Sequence, residues 1–222
     1  MSVHIIYYQD GAKLIRPVAD EKEYRQLRDS ERNKHADKHH MVQMNYSCLP
    51  NENGALKGST RISKSVGMDI DFDTKAADYE LRMASVPEMV MNKKLELGLL
   101  MLERSANKGY HIAFRRKPEL SQEENLKWAS RLLGVEYDKG AKDITRVFFT
   151  PPTDRLLFVD KELFDNSEVE KMEVDSCNGN KDSDSAEQSD SSLFTLHLTI
   201  SAFPTLKSSA SGGLCTTTRR SL

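Results

Sequence analysis

Apolar and polar positions alternate with strand-like spacing in some stretches of the first 164 residues and recur with helical spacing in others. The run VHIIYY, closed by the turn pair Asp10-Gly11, predicts a strand, and the polar, charge-laced stretch from Asp20 to about His39 predicts a helix. MVQMNYSCL alternates like a strand, and PNENGALKGSTR supplies turn residues in the style of a hairpin loop. A strand through GMDIDFD follows, then a helix from Ala76 to Glu96 with a break at Pro87. LGLLMLERS and YHIAFRR read as two strands of a hairpin joined by ANKG. In SQEENLKWASRLLG, Ser121 stands at an N-cap, Glu124 three residues on and Gly134 at the end, which predicts a capped helix. Strands near RVFFT and LLFVD close the pattern, and the order of elements predicts an α+β domain over residues 1–164 with a mostly antiparallel sheet.

After Phe164 the pattern stops. Residues 165–192 are rich in Ser, Asp, Asn and Glu with almost nothing to bury, the composition of a disordered linker. Residues 193–222 hold one short apolar stretch followed by Ser, Thr and Gly without periodicity, and are expected to form a weakly structured tail.

Charge and cysteine content then narrow the function classes. A net charge of -2 gives no global attraction to nucleic acid or membrane, so any polyanion site must come from a local basic cluster. Cys48, Cys177 and Cys215 are odd in number and lack CxxC spacing, which argues against a disulfide framework or a zinc site and points to a reducing cytoplasm. No apolar run reaches the roughly 18 residues a bilayer requires, and the N-terminus lacks the order of a signal peptide, so the expectation is a cytoplasmic protein with no membrane partner.

Three groups of residues carry candidate chemistry. In GMDIDFD the period of two sends Met68, Ile70 and Phe72 to the core and aims Asp69 and Asp71 together from the other face, about 7 Å apart. Paired carboxylates of this kind suit Mg2+ or Mn2+. A strand with solvated acids on its exposed face is the structural alternative. Asp69, Asp71, Asp73 and Glu80 also match positions of a calcium-binding EF-hand loop, but Thr74 stands where that loop turns on Gly. In the second group, the Asn107-Lys108-Gly109 turn leads into a strand carrying His111, with Ser105 and Lys108 beside it. Turn amides, an ammonium and an imidazole could cradle phosphate oxygens, and an ordinary hairpin is the alternative. The third group, EYDKGAKDITRVFF, offers Asp138, Lys142, Asp143 and Arg146, whose plain reading is a charged loop. His35, His39 and His40 have helical spacing but read better as a solvated helix end, and GALKGST fails the order of a phosphate-binding Walker loop.

Taken in order, a DxD on a strand, a small-residue turn running into a strand His, and an Asp followed by an Arg resemble the three motifs of archaeo-eukaryotic primases. MVQMNYSCLPNENG, SANKGYHIAFRR and GAKDITRVFFT are similar to the primase-like N-terminal domains of phage and mobile-element replication proteins, over residues from about 40 to 164. The resemblance implies an RRM-like catalytic core with an added N-terminal α/β module, and two-metal nucleotidyl transfer of a primase or DNA polymerase type, with Mg2+ or Mn2+. Asp69, Asp71 and Asp138 match the metal ligands, with Asp143 the alternative third. His111 matches the residue that contacts the triphosphate, with Ser105, Lys108, Gly109 and Arg146 around it. The partners implied are a single-stranded DNA template, nucleoside triphosphates and a replicative helicase. A catalytically inactive module that binds single-stranded nucleic acid and a metal-dependent phosphoesterase are the competing readings.

Overall fold

The computed structural model describes residues 3–34 and 38–165. Apart from Asp165, the expected linker over 165–192 and tail over 193–222 lie outside the described residues, as does His35. The described part is α+β and holds two four-stranded antiparallel sheets. With strands numbered along the chain, the first sheet contains β1 (His4–Gln9), β2 (Ala12–Pro17), β3 (Gln43–Asn45) and β7 (Phe148–Phe149), in the order β2-β1-β3-β7. The second contains β4 (Ser65–Asp71), β5 (Leu99–Arg104), β6 (Gly109–Arg115) and β8 (Leu156–Val159), in the order β4-β6-β5-β8.

Alternation along the second sheet divides its side chains between two cores. Val66, Met68 and Ile70 of β4, with Ile112 and Phe114 of β6, pack against two helices, α2 (Tyr79–Asn92) and α4 (Gln122–Leu133). The other face turns toward the first sheet: Met101 and Ala113 share a cluster with Met44, Tyr46 and Phe148, and with Tyr24 of α1 (Glu21–Arg28). Asp69 and Asp71 therefore share a face, as their spacing predicts, but that face meets a second layer of protein and Asp69 is only 8% exposed. The reading of Asp69 as a solvated acid on an open face does not hold.

Two expectations about helices are corrected. The helix expected from Asp20 to about His39 ends at Arg28, where Asn33 takes over the backbone pairing. Asn33 Nδ2 donates to the carbonyls of Arg28 (2.7 Å) and Thr150 (2.8 Å), and its Oδ1 accepts from the Val42 amide. Pro87 does not break α2, which runs through it from Tyr79 to Asn92, followed by the short helix α3 (Lys94–Leu97). The capped helix is as expected: Ser121 and Glu124 form a reciprocal capping box and Gly134 closes the C-terminus in the left-handed conformation. Among the described residues no helix is long and apolar enough to cross a membrane.

Candidate functional site

The register of the second sheet builds the site. Asp69 of β4 lies opposite His111 of β6, and His111 lies opposite Glu103 of β5, so three polar side chains form one transverse row across adjacent strands. His111 Nδ1 is 2.6 Å from Glu103 Oε1, while Nε2 faces Asp69 Oδ1 at 3.8 Å. Behind Glu103, the guanidinium of Arg28 forms an ion pair with the carboxylate, both side chains fully buried. Arg28 also donates to the Pro151 carbonyl at 2.9 Å and stacks over the Tyr24 ring, so the last turn of α1 is fastened to the row. Burial lowers the pKa of His111 and raises that of Asp69, because each would carry its charge out of water.

Two glycines allow the strands to come this close. A Cβ on Gly67 would lie 2.7 Å from the Phe148 ring, and that ring meets His111 edge-on with centroids 5.2 Å apart. A Cβ on Gly109 would overlap the Ile70 carbonyl oxygen, so only Gly can start β6 beside β4.

The row opens into a cavity of about 310 Å3 lined by Asp69, Asp71, Ser105, Lys108, His111 and Arg146, among others. Five of these candidates came from two sequence stretches some forty residues apart, and the β4–β6 pairing brings them together. Lys108 Nζ is 3.4 Å from Asp71 Oδ2. Arg146 Nη2 lies 2.9 Å from Asp138 Oδ2 and 3.6 Å from Asp69 Oδ2, so one guanidinium spans both carboxylates. Asp138 is also tied to β4 directly, its amide donating to the Asp69 carbonyl at 2.9 Å. Asp143 is turned to its own loop, where Oδ1 accepts from the amide and hydroxyl of Thr145 at 2.8 Å. Neither Asp138 nor Asp143 lines the cavity, and Asp138 reaches it through Arg146.

The hairpin turn is less open than the sequence suggests. The Gly109 amide donates to Ser105 Oγ at 3.1 Å, the Ser105 amide to the Gly109 carbonyl at 2.9 Å, and Arg155 clamps the carbonyls of Ser105 and Ala106. What the turn presents to the cavity is thus the ammonium of Lys108 rather than the amides of Ser105 and Gly109. His39 and His40 are exposed in a single 3-10 turn, Lys38–His40, and do not line the cavity, although the His39 ring meets that of the lining residue Phe149 edge-on, with centroids 5.4 Å apart.

For a divalent cation, the fit rests on Asp69 and Asp71. Among the described residues no three His, Cys, Asp or Glu side chains gather into a metal-holding group. Yet Asp69 Oδ1 is buried without a hydrogen-bond partner, an arrangement that leaves a hard oxygen donor ready for a cation.

Three functional residues were not singled out from the sequence. Glu103 had a signal: counting back from the tight turn of the hairpin sets it opposite His111, an acid directly after four apolar residues of β5. Arg28 had none, since nothing local marks one cation in a helix of alternating charges as the buried one. Asn45 also escaped notice; its Nδ2 donates to the carbonyls of Ile144 (2.7 Å) and Arg146 (2.8 Å) and so holds the loop that delivers Arg146. Compared with known proteins, the chain matches no protein-family model and no curated protein.

Proposed function

We propose that this domain is a nucleotidyltransferase of the primase or DNA polymerase type, acting in the replication of a phage or mobile element. It would add nucleotides to a strand paired with a single-stranded DNA template. The observation that carries the reading is the convergence of Asp69, Asp71, Lys108, His111 and Arg146 on one cavity, where each acid has a cation beside it, Lys108 3.4 Å from Asp71 and Arg146 3.6 Å from Asp69. The element order β4-α2-β5-β6-α4, with β6 between β4 and β5, supports an RRM-like core, since it is the split β-α-β arrangement of that fold. β8 departs from it by pairing with β5 rather than with β4.

Asp69 and Asp71 would hold Mg2+ or Mn2+, with Asp138 joining once Arg146 releases it. Bound there, the cations would polarise the attacking hydroxyl and offset charge on the leaving pyrophosphate. The chain's own residues do the rest. Lys108 and Arg146 place two positive charges where triphosphate oxygens enter, and Phe148 with the first sheet keeps bulk water from the inner wall. The pairing of β4 with β6 fixes Asp69 and Asp71 relative to His111 and to the turn that carries Lys108, and Asn45 of β3 holds the loop that carries Arg146, so the substrate is oriented by rigid elements.

The test is incubation of the full chain with single-stranded template, Mg2+ or Mn2+ and labelled nucleoside triphosphates. Extension products are expected, and the Asp69→Asn/Asp71→Asn double variant should make none while still binding template. Strand cleavage without added nucleotide would assign a phosphoesterase instead. Template binding with neither reaction would assign a nucleic-acid-binding module.

A further inference from the structure

The row Asp69–His111–Glu103–Arg28 sets a direction for hydrogen bonding that the nucleotide-binding role of His111 does not use. Arg28 can only donate. Its guanidinium holds Glu103 as a carboxylate, which can only accept. At 2.6 Å from Glu103 Oε1, His111 Nδ1 must therefore carry the proton. In the neutral ring the other nitrogen is then bare. Nε2, on the cavity side, lies 3.8 Å from Asp69 Oδ1, beyond hydrogen-bond reach, so nothing there competes for the ring's orientation. The Phe148 edge contact holds the ring plane.

We propose that Arg28 and Glu103 are positioning residues that fix His111 as the Nδ1–H tautomer, so that the ring offers the cavity an acceptor. The group it meets is then an O–H of a nucleotide sugar or strand end, and the phosphate oxygens fall to Lys108 and Arg146. The Nδ1 proton stands on the geometry and the bare Nε2 on the burial of the ring, 7% exposed, which disfavours a second proton, whereas the identity of the O–H rests on the nucleotidyl-transfer reading. Seen this way, α1 acts on the site from behind Glu103, on the same face of the sheet as the row: it touches no substrate and fixes which nitrogen faces it.

Glu103→Gln gives a directional test. Arg28 still demands an acceptor, so the introduced amide must turn its carbonyl oxygen to Arg28 and its NH2 to His111 Nδ1. That nitrogen must then accept, and the proton moves to Nε2. Nitrogen-15 NMR of histidine-labelled full chain at neutral pH, with the His111 signals assigned by their loss in His111→Ala, should show Nδ1–H in the wild type and Nε2–H in Glu103→Gln. A doubly protonated ring or an Nε2–H ring in the wild type would overturn the inference, and the wild-type spectrum decides this even if the variant fails to fold. Retention of Nδ1–H in a folded Glu103→Gln would overturn it as well.

Calorimetry with inorganic tripolyphosphate supplies the second readout. His111→Ala should leave its affinity within about twofold of wild type, and Glu103→Gln, which turns the acceptor into a donor, should tighten it about fivefold, the equivalent of one net hydrogen bond. A tenfold loss of tripolyphosphate affinity in His111→Ala would return His111 to the phosphates and overturn the proposed partner. The expected tautomers together with an absence of strand synthesis in the wild type would support the positioning role and overturn the transfer reading.

Discussion

Tyr110 Oη lies 2.9 Å from the carbonyl oxygen of Met83 and donates to it the hydrogen bond that Pro87, four residues on, cannot. A proline inside a helix leaves the carbonyl four residues earlier without its N–H partner, and here a buried strand residue replaces that donor. This is why α2 continues through Pro87 where the sequence predicts a break.

Tyr110→Phe should therefore cost about 1–3 kcal/mol, the penalty of a buried unsatisfied carbonyl. In a Pro87→Ala background the helix regains its own N–H at position 87, and the same change should cost about 0.5 kcal/mol or less. Urea denaturation of the four proteins measures the coupling, and equal costs in both backgrounds would show that Tyr110 acts through packing alone.

Gly67→Ala should destabilise the fold by about 1–3 kcal/mol, because the new methyl meets the Phe148 ring and the Tyr46 Cβ and neither sheet can retreat. Phe148→Leu should lessen the penalty when combined with Gly67→Ala. Additive losses in thermal melts of the double variant would show that the strain falls elsewhere, with Tyr46 the remaining neighbour.

Much of the site was legible because strand spacing and a tight turn are local signals. Two acids at i and i+2 must share a face, and a Gly-closed hairpin fixes its own register. What lay beyond reading was everything that depends on the second layer. No local feature says that the face of Asp69 would be covered by Phe148 from a strand some eighty residues later, or that Arg28 would reach Glu103. The helix expected to run on from Asp20 to His39 stops early for a related reason: its end is written in Asn33, whose partners at Val42 and Thr150 are brought to it by the tertiary fold.

His4 sets a pH dependence of stability. It is fully buried with both ring nitrogens lacking a hydrogen-bond partner, and burial lowers its pKa to about 4. In the unfolded chain the same ring titrates near its ordinary value of about 6.5. Above that value both states are neutral and His4 makes no pH-dependent contribution. As pH falls from about 6.5 to about 4 only the unfolded chain takes up the proton, so stability drops by up to about 3 kcal/mol. The unfolding free energy of His4→Leu relative to wild type should rise by about that amount over this window, with contributions from His111 and the carboxylates common to both proteins. A difference independent of pH would mean that His4 finds a partner when charged.

Arg146 occupies the space between Asp69 and Asp138 that a cation shared by those two carboxylates would need, with Nη2 at 3.6 and 2.9 Å from their oxygens. Guanidinium and metal must therefore compete for the same acceptors, and their like charges repel at close range. Arg146→Met should tighten Mn2+ binding about fivefold to tenfold in calorimetric titrations, a change matching the removal of one partly screened charge. It should weaken nucleoside triphosphate binding at the same time, since the freed guanidinium is the group placed to meet phosphate oxygens. Lys142→Met removes the same charge from an ion pair with Glu123 on α4 and should leave Mn2+ affinity unchanged, which separates local competition from net charge. If Arg146→Met weakens Mn2+ binding instead, the guanidinium is holding the two carboxylates in place for the metal, and Asp138 belongs to the site only through that support.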